Sequence, residues 1–314
     1  TPLYSSAASD VYKRQMKQIA LLSATHAPGL GPDAEAALGT IIEAAGGKPG
    51  PYRWLSPGHA LEAEVEGNPS LTKAREMLGE IMGGILADIN FIPADGRRKA
   101  LMIADMDSTI ISSESLDDLA RLAGKGDEVA TITARSMRGE LDFSQSLKAR
   151  VGMLAGSPTS LIDTIIAEAE CNPGATELVT TLRRHGVRTV LASGGFTFLT
   201  EVIGGRLGFD AHFANTLVVR DGVITGEVTD PVLDQHSKRT ILDREIEALG
   251  ITPDDVATIG DGANDRGMTE RAGLGVAYQG KDALKAVTPY WLDHTDLRGM
   301  LWLQGYDDSM ITRS

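Results

Sequence analysis

The stretch Leu101-Met102-Ile103-Ala104-Asp105-Met106-Asp107-Ser108-Thr109 decides how this chain folds and what it can do. Four apolar residues read as a strand, and the two carboxylates and two hydroxyls that follow put charge where that strand ends. Side chains alternate along a strand, so Asp105 and Asp107 are expected to point the same way at the carboxyl edge, where open α/β sheets hold their ligands. Two like charges this close repel unless a metal or a shared proton intervenes. Taken alone, the pair reads equally well as turn chemistry or as the N-cap of the next helix.

Downstream, Val187–Ala192, Val256–Gly260 and Leu274–Ala277 are short apolar runs, each preceded by a helix-like segment. That alternation predicts an α/β fold with a doubly wound parallel sheet. Between Ser115 and Ala169 only helical segments are expected (Asp127–Met137, Phe143–Leu154 and Pro158–Ala169), a helical cap inserted over the sheet edge at about 115–170. Phe213–Val219 and Val223–Val228 flank Asp221-Gly222, the two-residue turn of a β-hairpin insertion.

Upstream lies a small α+β unit over residues 16–95. Its expected elements are a strand Gln18–Ser23, a helix around Ala34–Ala45, a strand pair near Tyr52–Leu55 and His59–Val65, and a helix Leu71–Ala87. The turn-forming, basic run from Pro93 to Lys99 marks a boundary before the second unit, 96–314. Thr1–Gln15 is polar and without period and reads as a leader before a start at Met16.

A net charge of −13 disfavours a nucleic acid or an anionic membrane surface as partner, since both need clustered Lys and Arg. No apolar run approaches the ~20 residues of a membrane span. The one cysteine, Cys171, rules out an internal disulfide and fits a reducing, cytoplasmic setting. An acidic chain that binds a small phosphate needs a local cationic spot, and a homodimer remains open.

Three further elements sit at strand ends or helix starts. Leu191-Ala192-Ser193-Gly194-Gly195 ends a strand in a hydroxyl and two glycines just before a helix, where backbone N–H groups can approach a phosphate. Lys238 opens the helical segment Ser237–Leu249, a place where a cation is mildly unfavourable to the helix dipole. Thr258-Ile259-Gly260-Asp261-Gly262-Ala263-Asn264-Asp265 runs a strand into a tight turn carrying hard oxygen ligands suited to Mg²⁺. Each alone has a bland reading as a turn, a cap or a solvated charge. Two other matches are discounted: Arg184-His185-Gly186 suits a helix end, and Gly275 to Gly280-Lys281 misses a P-loop because Asp282 stands where Ser or Thr is needed.

Together, in this order on one alternating sheet, D-M-D-S-T, S-G-G, Lys238 and G-D-G-A-N-D resemble the four motifs of the haloacid dehalogenase superfamily of aspartate-nucleophile phosphatases. With Glu114, Met137, Phe143, Arg150 and Phe213-Ala214-Asn215, the text over residues 99–303 is similar to the phosphoserine phosphatase family. The resemblance implies a Rossmann-like core and Mg²⁺-dependent hydrolysis of O-phosphoserine. Asp105 would be the nucleophile and Asp107 the general acid and base, with the metal held by Asp105, the Asp107 carbonyl and Asp261, and supported by Asp265. Ser193, Gly194, Lys238 and Asn264 would bind the phosphoryl group. Glu114 would meet the substrate ammonium and Arg150 its carboxylate, between apolar walls at Met137 and Phe143. Relatives often carry amino-acid-binding ACT domains before the catalytic part, and residues 16–95 could be one divergent copy. Three other readings stay open: phosphate transfer from phosphoserine to an alcohol such as homoserine, a phosphatase of the same superfamily acting on another small phosphometabolite, and an amino-acid sensor with an idle catalytic sheet.

Overall fold

A computed structural model describes residues 17–313 except Gly139, and leaves aside the side chains of Met137 and Gln235. The Thr1–Gln15 leader lies outside the described residues. The strands are β1 (Gln18–Ser23), β2 (Gly47–Ser56), β3 (Ala60–Gly67), β4 (Asp88–Pro93), β5 (Leu101–Ala104), β6 (Arg188–Phe196), β7 (Ala211–Asn215), β8 (Leu217–Arg220), β9 (Val223–Val228), β10 (Val256–Gly260), β11 (Leu274–Tyr278) and β12 (Tyr290–Leu292).

The second half builds a six-stranded sheet in the order β12-β11-β10-β5-β6-β7, every neighbouring pair parallel. β5 is its first strand in sequence and lies at its centre, with all four residues buried. Sheets covered by helices on both faces need such unbroken apolar runs. The chain winds outward from β5 to β6 and β7, then returns beside β5 with β10 and winds the other way. This is the doubly wound order 3-2-1-4-5-6, and its switch point falls between β5 and β10, where such sheets open a crevice.

Two insertions interrupt the winding; the first lies over that crevice and the second packs against the first. The helices Ser115–Leu122, Gly126–Met137, Phe143–Gly152 and Ser160–Glu168 form the cap. The hairpin β8–β9 turns on Asp221 (φ 49°) and Gly222 (φ 79°), the pair of left-handed residues a tight hairpin turn requires. Its first arm is shorter than the sequence suggested. Phe213–Asn215 belongs to β7 in the main sheet, paired with β6, and only Leu217–Arg220 joins the hairpin.

Residues 18–93 form an antiparallel sheet in the order β2-β3-β1-β4 with the helices Ala34–Ala44 and Leu71–Ile81, a βαββαβ ferredoxin-like arrangement. Two expectations change here. The second helix ends at Ile81 rather than Ala87, before the left-handed Gly83 and Gly84, which leaves room for the unforeseen β4. β2 runs on through Pro49 and Pro51 because it is an edge strand, where a missing N–H costs little, and its register shifts between Pro49 and Tyr52.

The first half of β4 is pinned to β12 and to the two residues that follow it. Asn90 exchanges two 3.0 Å hydrogen bonds with the Trp291 backbone. Asp88 accepts from the backbone N–H groups of Asp293 and His294, also at 3.0 Å. Both side chains are buried, and their polarity is spent on this contact.

Candidate active site

Asp105 leaves β5 in extended conformation, and its N–H still bonds Ile259 O of β10, so its carboxylate stands at the switch point. Lys238, from the first turn of the helix Gln235–Leu249, reaches the same spot. That helix starts where it does because Asp234 and Ser237 form a capping box. The Lys238 ammonium lies 2.7 Å from Asp105 Oδ1 and 2.6 Å from Asp265 Oδ1, with all three side chains buried. Burial works against the lysine charge, but the two carboxylates outweigh it and hold its pKa above the ordinary value. The dipole cost at the helix start is thus offset locally.

Asp265 also ties the glycine turn together, accepting 3.1 Å bonds from the N–H groups of Asp261 and Gly262. Asn264 donates to Asp105 Oδ2 at 3.2 Å.

Asp107 reaches the same cavity by a route strand alternation did not foresee. The strand has ended: Asp107 sits in a turn, and Ser108 adopts φ 55°. The carboxylate accepts from the Ser115 N–H and from Ser193 Oγ, both at 2.8 Å. Ser193 Oγ in turn accepts from the Gly195 N–H at 2.8 Å. A Cβ at residue 195 would come within 2.6 Å of Asp107 Oδ2, so glycine there is what lets the end of β6 pass the acid. Burial, and then the neighbouring Asp105, push the Asp107 carboxyl above its ordinary pKa.

A cavity of about 150 Å³ opens over these residues. Asp105, Asp107, Gly194, Asp261 and Asn264 form its floor. Phe143, Leu147 and Arg150 come from one cap helix at spacings of four and three, which places them on one helical face over the cavity. Ser193, Lys238 and Asp265 stand behind the floor, buried. The side chain of Met137 lies outside the described residues.

Glu114 closes one side of the cavity. Its carboxyl is pushed up to about 7, chiefly by burial and further by Asp107 and Asp261, while a 2.8 Å bond from Ser108 Oγ and the charge of Lys281 oppose the rise. Arg150 is mostly buried, and its nearest acid is Asp117 at 4.0 Å. Its Nε is buried without a hydrogen-bond partner.

Carboxylate oxygens of Asp105, Asp261 and Asp265 lie within 4.8 Å of one another, all buried. Lys238 and two turn N–H groups engage both oxygens of Asp265, whereas Asp105 Oδ2 meets only the 3.2 Å bond from Asn264, so Asp105 and Asp261 keep more oxygen free to face a cation. Hard, anionic oxygens fit a small divalent ion. The side chain of Asp107 turns away from this cluster toward Ser115 and Ser193.

Lys281 escaped the sequence reading. It follows β11, the strand next to the one that carries Asp261, and its Nζ donates to Asp261 Oδ2 at 2.8 Å. The only signal was its place just past a strand end, which the failed P-loop comparison obscured.

A model of the haloacid dehalogenase-like hydrolases matches residues 102–270. The phosphoserine phosphatase of Archaeoglobus fulgidus is 40% identical over 204 residues, 65% of this chain and 59% of that protein. The phosphoserine phosphatase of Methanocaldococcus jannaschii is 38% identical over 205 residues, 65% of this chain and 97% of that protein. A crystal structure of a probable phosphoserine phosphatase from Vibrio cholerae is similar with a TM-score of 0.76 at 28% identity, covering 95% of this chain and 89% of that chain. The chain thus spans about three fifths of the length of the A. fulgidus relative but nearly all of the M. jannaschii one. A motif set gathered at one switch point and an identity that runs through almost the whole of a short relative place this chain in the haloacid dehalogenase-like hydrolases, within the phosphoserine phosphatase family.

Proposed function

We propose that this chain hydrolyses O-phospho-L-serine to L-serine and phosphate through a phosphorylated Asp105, with Mg²⁺ bound, as the last step of serine biosynthesis. The observation that carries the substrate assignment is the unpartnered, buried Nε of Arg150, set in the same small cavity as the high-pKa Glu114. An unpaired guanidinium edge is costly unless a ligand completes it, and a carboxylate is the matching fork. Phosphoserine offers that carboxylate, an ammonium for Glu114 and a phosphate for the floor.

Lys238 and Asn264 hold the Asp105 carboxylate fixed, so that it can attack phosphorus without first reorganising. As the phosphorus–oxygen bond to serine breaks, Asp107 gives a proton to the departing serine oxygen. Its raised pKa suits it to carry that proton. The same carboxylate then takes a proton from water as the water displaces Asp105 from phosphorus. Ser193 and the Ser115 N–H keep Asp107 aimed through both steps. The Gly194 backbone and Asn264 line the phosphate end, and Phe143 screens it from water.

A divalent cation held by Asp105, Asp261 and the Asp107 carbonyl, with Asp265 fixing the turn behind them, would supply the charge that lets an anionic nucleophile approach an anionic phosphate. We assign the activity to residues 96–314 and read 16–95 as a separate small unit. The single, half-buried Cys171 fits a cytoplasmic setting.

Purified protein incubated with phosphoserine and Mg²⁺ should release serine and phosphate in equal amounts, and Asp105→Asn should lose at least about four orders of magnitude in kcat. Wild-type protein that releases no serine with any of Mg²⁺, Mn²⁺ or Co²⁺ would overturn the assignment.

A further inference from the structure

Lys281 grips Asp261 at two points. Its ammonium donates to Asp261 Oδ2 at 2.8 Å, and its backbone N–H donates to the Asp261 carbonyl, also at 2.8 Å. The first bond occupies one of the two oxygens of a carboxylate that is itself almost fully buried. A carboxylate with one oxygen committed to an ammonium presents the other oxygen alone to a cation.

We infer that Lys281 is a positioning residue that restricts Asp261 to one-oxygen coordination and so makes the site discriminate against large divalent cations. The inference rests on the proposed role of Asp261 as a metal ligand. Mg²⁺ demands near-octahedral geometry at short distances and is content with single oxygens and water. Ca²⁺ takes six to eight oxygens and readily uses both oxygens of one carboxylate. With Lys281 in place, the second Asp261 oxygen is withheld from the ion that gains most from it. Among the described residues no other acid of the cluster is held by so accessible a cation: Asp105 and Asp265 share the buried Lys238, whereas the Lys281 side chain is 65% exposed at the cavity rim. Its exposure also makes it replaceable without opening the core.

The test compares metal affinities of wild type, Lys281→Met and Lys281→Arg by titration calorimetry, with no substrate present. Removing a positive charge strengthens binding of both ions, and because both carry two charges this common effect cancels in the ratio of their dissociation constants. Lys281→Met is expected to move that ratio about tenfold toward Ca²⁺, because the number and charge of the oxygens offered tune calcium affinity. Lys281→Arg, which can still engage Oδ2, should restore the wild-type ratio within about twofold.

A ratio unchanged in Lys281→Met, with wild type binding Mg²⁺ normally, would overturn the inference alone and make Lys281 a mere counter-ion that the metal displaces. Wild type that binds neither ion would overturn the inference together with the metal reading beneath it. The Met and Arg variants must also give the wild-type circular dichroism spectrum; an Arg variant that behaves like Met despite that spectrum counts against the proposal too.

Discussion

The floor and the cap wall of this site bury charge in opposite ways. On the floor every charged side chain is held: Lys238 lies between Asp105 and Asp265, Asp265 holds the turn that carries Asp261, and Asp107 accepts from the Ser115 N–H and Ser193 Oγ. On the wall Arg150 keeps a buried edge without a partner, and Glu114 is buried among acids. The floor is complete as a piece of folded protein and performs its chemistry from a fixed arrangement. The wall is completed by whatever enters. Changes to the floor should therefore damage fold and catalysis together, and changes to the wall should alter recognition with little loss of stability.

Lys238→Met is the harshest test of that division. It removes the one cation between two buried carboxylates and leaves them facing each other, the situation in which breaking a buried ion pair costs about 3–5 kcal/mol. Urea unfolding should show a lower midpoint with an unchanged slope, and phosphoserine turnover should vanish. A variant as stable as wild type would show that the floor charges do not support the fold.

Arg150→Ala should separate the regions from the other side. With its Nε already unpaired, the guanidinium gives little to the folded state, so the unfolding midpoint should hold or rise slightly. The KM for phosphoserine should rise about a hundredfold, the range expected from losing a charge-assisted pair in a closed cavity, while a simple aryl phosphate is hydrolysed almost as before. Equal losses on both substrates would place Arg150 in the catalytic floor instead of the wall.

The same contrast explains what the sequence revealed. Asp105, Ser193, Lys238 and Asp261 were visible because each stands at a border between apolar strand or helix text and polar turn text, a local signal. β4 was not visible: Asp88 and Asn90 interrupt its apolar pattern, and their buried partners lie about two hundred residues downstream at Trp291, Asp293 and His294. Phe213–Asn215 was given to the hairpin because nothing local says that its pairing partner is β6. Lys281 looked like a rim lysine because its role depends on β11 lying beside β10, a fact of sheet order.

The gentlest probe is pH. Glu114 is held near 7, so at neutral pH about half of the free protein carries it uncharged. A substrate ammonium needs the carboxylate form, so the KM for phosphoserine should fall as pH rises through 7. Stability moves the other way. A carboxyl whose folded pKa lies above its unfolded value binds more protons when folded, so its contribution weakens as pH rises from about 4.5 to 7. Phosphoserine itself loses its second phosphate proton near pH 6, which would also improve binding, but Glu114→Gln distinguishes the two effects. The variant should keep the phosphate-linked change and lose the one near 7, with KM raised about tenfold above pH 8 and nearly unchanged below pH 6. If the change near 7 persists in Glu114→Gln, the titrating group belongs to the floor, and the wall does not sense the substrate through this acid.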